Sequence, residues 1–316
     1  MNKKALLCAF QRFHMNIYFR LLASFSLSLL CVFSFSLTGP DIIMAQDTDV
    51  SQAEPDSSQS KEVSPWSKSW VVGLNATQYN YQDWSYGGNN SFSFTANTLF
   101  ELEYTHEKFL NTSRIRLRFG QSRLKEGELE KIEDIIRISN RIEYALNNNS
   151  WSAFLELAFR TQFTDGFDPV TNERTSDFLS PAYYIQNIGI SYKPADYFSS
   201  YLGIGLKQTL VATDGLDQFY GLGEEEDIRS EGGLTLAYEL NKEILPNITL
   251  NSELNAFYNL LLPIEDTDIF LNNSIVGEIN KYFQATLDVD LLYDSDFGQV
   301  LQRKTVIALG VRFNLL

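Results

Sequence analysis

The chain has 316 residues, 44% hydrophobic and 14% aromatic, with a formal net charge of −15. The hydrophobic share excludes a disordered chain, and the acidity excludes a nucleic-acid binder, which needs a basic face to displace counterions from phosphate. A slightly negative mean hydropathy excludes a bundle of membrane helices, which leaves open whether the apolar residues form a core or a surface facing lipid.

In chain order, residues 21–37 (LLASFSLSLLCVFSFSL) carry no charge and follow Lys3, Lys4, Arg12 and Arg20. A basic lead, an apolar core and a small residue at the cut site make the pattern of a secretory signal. Residues 1–45 are expected to be that signal peptide, cleaved between Ala45 and Gln46. The competing reading is a retained anchor, but the apolar core is barely long enough to span and serines dilute it. Translation from Met15 instead of Met1 gives a more ordinary signal length. Cys8 and Cys31 leave with the segment, so no disulfide or thiol chemistry is expected afterwards. The four basic residues outnumber Asp41 by three, so processing leaves the chain at −18. Residues 46–65 are polar with almost nothing to bury, and are expected to be a flexible periplasmic lead.

From Trp66 onward, period-two alternation replaces helical periodicity. Phe92, Phe94, Ala96, Thr98, Phe100, Leu102 and Tyr104 interleave with Ser91, Ser93, Thr95, Asn97, Leu99, Glu101 and Glu103. Ile115, Leu117 and Phe119 interleave with Arg114, Arg116 and Arg118, and the same pattern continues to the C-terminus. Twelve runs are expected, near 68–80, 91–106, 111–122, 132–147, 150–164, 181–193, 197–212, 231–241, 247–261, 268–280, 282–294 and 303–316. The number is even, as in single-chain bacterial outer-membrane barrels. Most runs reach the roughly 9–11 residues a tilted membrane strand needs, whereas soluble strands peak near 5–6.

The connections are a second, independent signal. Those at 107–110, 148–149, 194–196, 242–246 and Lys281 are short; those at 81–90, 123–131, 165–180, 213–230, 262–267 and 295–302 are mostly longer. Alternating short and long ends match periplasmic turns and extracellular loops. A secreted β-sandwich with one wet face is the alternative, and it has no reason to sort its turns this way. Trp70, Tyr104, Tyr144, Trp151, Tyr192, Tyr258 and Tyr293 fall near strand ends, where interface girdles lie. The expected fold is therefore all-β: a twelve-stranded antiparallel outer-membrane barrel over 66–316, with both termini periplasmic. Gly310, Phe313 and Leu315 follow the spacing of final strands handed to the outer-membrane barrel assembly machinery, although the usual terminal aromatic is replaced by Leu316.

The residues opposite the apolar face would line the lumen. The candidates are Glu101, Glu103, Arg114, Arg116, Arg118, Arg137, Arg141, Glu143, Glu156, Arg160, Lys207, Asp288 and Asp290. A turn centred between Lys108 and Phe109 would set Glu103 opposite Arg114 and Glu101 opposite Arg116. A turn at Asn148–Asn149 would set Arg141 opposite Glu156 and Arg137 opposite Arg160. Opposed like charges repel, so an acid from a neighbouring strand is expected between Arg137 and Arg160. Two readings stay open: a charged lumen that selects a solute, or a salt-bridged plug that conducts little.

Glu224, Glu225, Glu226 and Asp227 could hold a divalent cation through hard oxygens, but an acidic run is more often solvated surface. His106 is the one histidine after the signal, at the periplasmic end of its run. That placement does not suit a histidine-based hydrolase, so no enzyme activity and no cofactor is expected.

Three stretches carry a resemblance. They are Trp84–Ser85–Tyr86–Gly87–Gly88–Asn89–Asn90, Phe178–Leu179–Ser180–Pro181–Ala182–Tyr183, and Gly189–Ile190–Ser191–Tyr192–Lys193–Pro194 followed by Gly203–Ile204–Gly205–Leu206–Lys207–Gln208. Together they resemble outer-membrane proteins of Bacteroidetes-type bacteria carrying domain of unknown function 3078, over about 66–316. The resemblance implies an outer-membrane barrel and nothing about substrate. Physically, Gly87 and Gly88 suit a tight bend, Asn89 suits a turn cap, and Trp84 suits an interface anchor.

The expected role is a narrow permeation or transport pore with a charged lumen. The alternative is a non-conducting barrel that presents its outer loops to partners. The expected partners are the lipid bilayer of the outer membrane, the barrel assembly machinery and a small solute, with no nucleic acid.

Overall fold

The computed structural model describes residues 64–80, 90–125, 127–146, 150–168, 171–223, 226–294 and 300–316. The expected signal peptide, and the lead up to residue 63, lie outside the described residues. So do Trp84, Gly87, Gly88 and Asn89.

The strands are β1 (Trp66–Tyr79), β2 (Ser91–His106), β3 (Phe109–Leu124), β4 (Glu130–Ala145), β5 (Trp151–Thr161), β6 (Gly166–Phe167), β7 (Arg174–Ser176), β8 (Ala182–Ala195), β9 (Phe198–Leu210), β10 (Ile228–Leu245), β11 (Ile248–Asn259), β12 (Asp268–Glu278), β13 (Phe283–Tyr293) and β14 (Gln302–Asn314). Twelve of them form one closed antiparallel barrel in which each strand pairs with its chain neighbour and β14 returns to β1. The short β6 and β7 form a separate two-stranded ribbon inside the connection from β5 to β8.

The alternation sets the register. Phe100, Ile115, Ile138, Phe159 and Tyr184 are successive Cα partners across β2, β3, β4, β5 and β8. The next row is Leu99, Arg116, Arg137, Arg160 and Tyr183. A slip of one residue would exchange these rows between the two faces, which pins the pairing. The first row belongs to the outer surface, where Leu202 and Ile204 remain 62% and 60% exposed. Ile307 and Leu309 continue that surface on β14. The buried hydrophobics inside the wall are few, among them Phe154 and Tyr201, whose rings meet edge-on at 5.6 Å.

Two interruptions of the outer apolar face are satisfied locally. Asn140 Nδ2 donates to Asn111 Oδ1 at 2.6 Å and to Ser113 Oγ at 2.8 Å. Ser252 Oγ donates to Asn273 Oδ1 at 2.7 Å and lies 3.0 Å from the Tyr238 hydroxyl. Pairing these groups removes the cost of setting bare polar atoms on an apolar surface.

Aromatic residues collect at both rims. On the short-turn side, Trp66 meets Tyr104 at 4.7 Å and Trp151 meets Tyr192 at 4.5 Å. On the long-loop side, Phe94, Phe119 and Phe163 form a chain with centroids 6.4 and 6.2 Å apart. The first end of β1 and the last end of β14 both lie on the short-turn side, since Trp66 pairs with Tyr104 and Val71 with Asn314.

The turns correct several sequence expectations; the expected 242–246 turn, for one, is reduced to 246–247, because Leu245 pairs with Ile248. The β2–β3 turn contains only Glu107 and Lys108, because His106 pairs with Phe109. Glu101 is therefore opposite Arg114, Glu103 is opposite Thr112, and Leu99 is opposite Arg116. The expected four-residue turn at 107–110 displaced each acid by two positions along its ladder; Glu107 adopts φ 52° and makes the tighter bend possible. The β12–β13 join spans 279–282 instead of Lys281 alone, with the Ile279 and Asn280 backbone N–H groups donating to the Phe283 carbonyl.

The two longest connections are tied together. Ser180 Oγ accepts from the Ala212 and Thr213 N–H groups at 2.9 Å each. The Tyr220 hydroxyl donates to the Thr175 carbonyl at 2.8 Å. Val211, Leu216, Tyr220 and Leu222 make a small buried cluster beneath them.

Candidate functional site: the charged interior of the barrel

Side chains facing inward from one wall meet those of the other. Arg116 on β3 reaches Glu253 on β11 at 3.2 Å. Those strands are diametrically placed, with five strands between them in either direction around the ring. Arg137 on β4 reaches the other oxygen of Glu253 at 2.8 Å. Glu239 on β10 takes Arg114 of β3 at 3.1 Å and Arg141 of β4 at 3.0 Å. Lys304 on β14 takes Glu133 of β4 at 2.6 Å. Pairs between strands that are not neighbours in a closed sheet cross the space the sheet encloses. The arginine and glutamate stems are long enough to close it, and the opposite charges they bring together form charge-assisted hydrogen bonds.

The expected acid between Arg137 and Arg160 is thus not supplied by a neighbouring strand. Arg137 and Arg160 are Cα partners as expected, but the acid is Glu253 from the far wall, and of these two arginines it contacts only Arg137. Arg160 has no ion pair among the described residues; its guanidinium lies 5.9 Å from the centroid of the Phe270 ring.

The remaining candidates separate into groups. Arg114 pairs with Glu101 as well as with Glu239. Arg141 is bound to Glu156 at 3.0 Å and stands 3.8 Å over the Tyr201 ring. Near the long-loop end, Arg118 meets Glu133 at 3.2 Å, and Lys304 also approaches Asp290 at 3.5 Å. Lys207 is held by Asp268 at 2.6 Å and Glu231 at 3.3 Å. Glu143 accepts from Ser191 Oγ at 2.8 Å. Glu103 is reached by the Thr105 hydroxyl at 3.5 Å. Asp288 takes no part in an ion pair among the described residues, with Ser274 and Val306 as its ladder partners.

Sequence reasoning passed over Glu133, Glu231, Glu239, Glu253, Asp268 and Lys304 as site residues. A signal for them existed. Each occupies the polar phase of its strand's alternation. Glu231, Lys304 and Glu133 have partners on an adjacent strand in Lys207, Asp290 and Arg118, whereas Glu239, Glu253 and Asp268 meet cations from strands that are not neighbours, which cross-ladder pairing does not see.

Among the described residues no set of three histidine, cysteine or acidic side chains converges as a metal site. Glu224 and Glu225 lie outside them. Glu226 caps its own loop, accepting from the Gly223 N–H at 3.2 Å.

With this geometry established, comparison with known proteins finds a likeness to a family over part of the chain. Residues 76–167 match the family model described as protein of unknown function (DUF3078). The match runs from β1 into β6 and includes Trp84, Gly87, Gly88 and Asn89 together with Arg116, Arg137 and Arg160. The stretches around Pro181, Gly189 and Gly203 lie beyond it. No curated protein matches the chain. Among solved structures, an outer membrane channel from Pseudomonas putida F1 is similar at 10% identity, with 83% of this chain and 99% of that one covered and a TM-score of 0.37. The outer membrane channel DcaP of Acinetobacter baumannii is 8% identical over 79% of this chain and 97% of that one, TM-score 0.35. An active-site mutant of outer membrane phospholipase A from Escherichia coli is 12% identical over 82% and 94%, also at 0.35. The assignment of the fold rests on the chain's own strand pairing.

Proposed function

We propose that this chain is an outer-membrane barrel that passes small ionic solutes along a narrow, charge-lined interior. The observation that carries the reading is the Arg116–Glu253 pair. It brings opposite walls within one ion pair of each other, yet the Arg116 side chain stays 38% exposed. Space for water thus remains beside the constriction. The exposed Leu202, Ile204, Ile307 and Leu309 supply a surface that suits lipid. In this reading the short turns and both termini are periplasmic. Residues 1–45 act as a cleaved signal, and the barrel assembly machinery inserts the chain.

Single-channel recording in planar bilayers tests the pore. The native barrel should show small ohmic steps. Replacing Arg116, Arg137 and Glu253 together with Ser should enlarge them several-fold. A silent native barrel that also passes no solute into liposomes overturns the reading. The ordered cluster of Val211, Leu216, Tyr220 and Leu222 favours the second reading, a closed barrel that displays its outer loops. That reading predicts silence in both forms.

A further inference from the structure

Three arginines stand side by side on the inner wall. Arg116, Arg137 and Arg160 are successive Cα partners on β3, β4 and β5, and Tyr183 of β8 ends the row. Side chains directly opposite on antiparallel strands have their Cβ atoms about 4.5–5.5 Å apart, and like charges placed there repel. One carboxylate answers three guanidiniums. Glu253 bonds Arg116 and Arg137 through a single nitrogen of each, and Arg160 reaches no acid among the described residues. A guanidinium has five N–H donors in a planar fork, so most of the donors in the row are still unspent.

The row is also open to solvent from within. Arg160 points inward by the alternation of β5 and is nonetheless exposed, while the Arg116 and Arg137 side chains are 38% and 27% exposed. The layer on the short-turn side has the opposite balance. There Arg114 and Arg141 face Glu101, Glu156 and Glu239. The excess positive charge is therefore localised at the arginine row, not spread through the interior.

From this juxtaposition we infer that the row seats an oxyanion, a carboxylate or phosphate group held by the free edges of Arg137 and Arg160. Planar forks match such groups two bonds at a time. The bound anion would cancel the repulsion that Glu253 alone leaves. The inference rests on the proposed reading of the interior as solvent-filled, and it gives that interior a ligand class.

Calorimetric titration of the full detergent-solubilised chain with inorganic phosphate, at constant ionic strength and pH, tests it. The native barrel should bind one phosphate per chain. Arg160→Gln should weaken binding about tenfold or more, as loss of a charge-assisted pair implies. In phosphate-free buffer the same variant should melt higher than the native chain, because a repulsive charge is gone. Arg160→Lys should keep part of the binding, and Arg303→Gln, on the outer face, should keep all of it. The heat-dependent gel shift verifies that each variant is a folded barrel. Absence of phosphate binding by the native barrel overturns the seat, as does equal binding by Arg160→Gln or an equal loss in Arg303→Gln. Conductance is measured separately, so a silent pore that binds phosphate refutes the transport reading and leaves the seat standing. A conducting barrel that binds none does the reverse.

Discussion

Asn75 and Gly310 face each other across the ladder that closes the barrel, and the Asn75 side chain fills the space a Cβ on Gly310 would need. The same device recurs at Asn97 opposite Gly73 and at Asn187 opposite Gly205. Bending a sheet into a closed ring crowds its inner face. A glycine opposite a short amide relieves that crowding without leaving a void.

Gly310→Val should therefore weaken closure. The added Cβ would sit 2.8 Å from the Leu74 carbonyl oxygen as well as on Asn75, and backbone cannot swing aside. The cost should be about 1–3 kcal/mol, as for other overpacked sites. It is read as a lower urea midpoint in lipid vesicles and a smaller unboiled fraction on gels. Asn75→Ala combined with Gly310→Ala should recover part of the loss, since it removes the side-chain clash and keeps the backbone one.

A charge on the outer face tests the membrane reading directly. Ile204 lies mid-strand on β9 and points outward. Ile204→Arg should destabilise the barrel in vesicles by about 2–4 kcal/mol if this position sits near the bilayer midplane. Its same-face neighbours, Leu202 and Leu206 along the strand and Ile188 and Leu234 across the ladders, are apolar, so none of them can pair with the guanidinium. A change within about 0.5 kcal/mol, the range of ordinary surface substitutions, would remove the outer face from lipid.

The two long connections carry a pH prediction. Burial by itself would raise the Asp177 carboxyl, but the Phe178 N–H, the Thr213 hydroxyl and Arg174 outweigh it and hold it below its ordinary value. A carboxylate depressed by folding adds stability above its unfolded pKa and loses it as pH falls through the folded one. The contact between the two long loops should therefore persist through the ordinary carboxylate range near pH 4 and loosen only below it. Protection of the Asp177, Ser180, Ala212 and Thr213 amides from hydrogen exchange, taken relative to the intrinsic rate at each pH, should fall on acidification below that range in the native chain. Asp177→Asn should exchange faster at neutral pH, with a flatter acid response.

Strand number, strand phase and the alternation of short and long connections were legible in the sequence. These are local properties. A strand of period two shows its two faces through its own residues, and a turn shows its length through the gap between runs. The opposition of Arg141 to Glu156 and of Arg137 to Arg160 was legible for the same reason, since one hairpin fixes both. The β2–β3 register was not. Phe109 and Leu110 read as turn residues, yet they pair with His106 and Thr105, and two extra ladder positions move every acid past its expected partner.

What only the closed barrel decided is which charges meet across it. Arg116 and Glu253 are 137 residues apart, and nothing near either of them in the chain points to the other. Their encounter depends on the ring closing at Asn75 and Gly310, on its circumference, and on the depth at which each side chain projects. Those quantities belong to the whole sheet. The sequence put charged residues on one phase of the strands; tertiary structure alone set Glu253 against Arg116 and Arg137 and gave Arg160 no ion pair among the described residues.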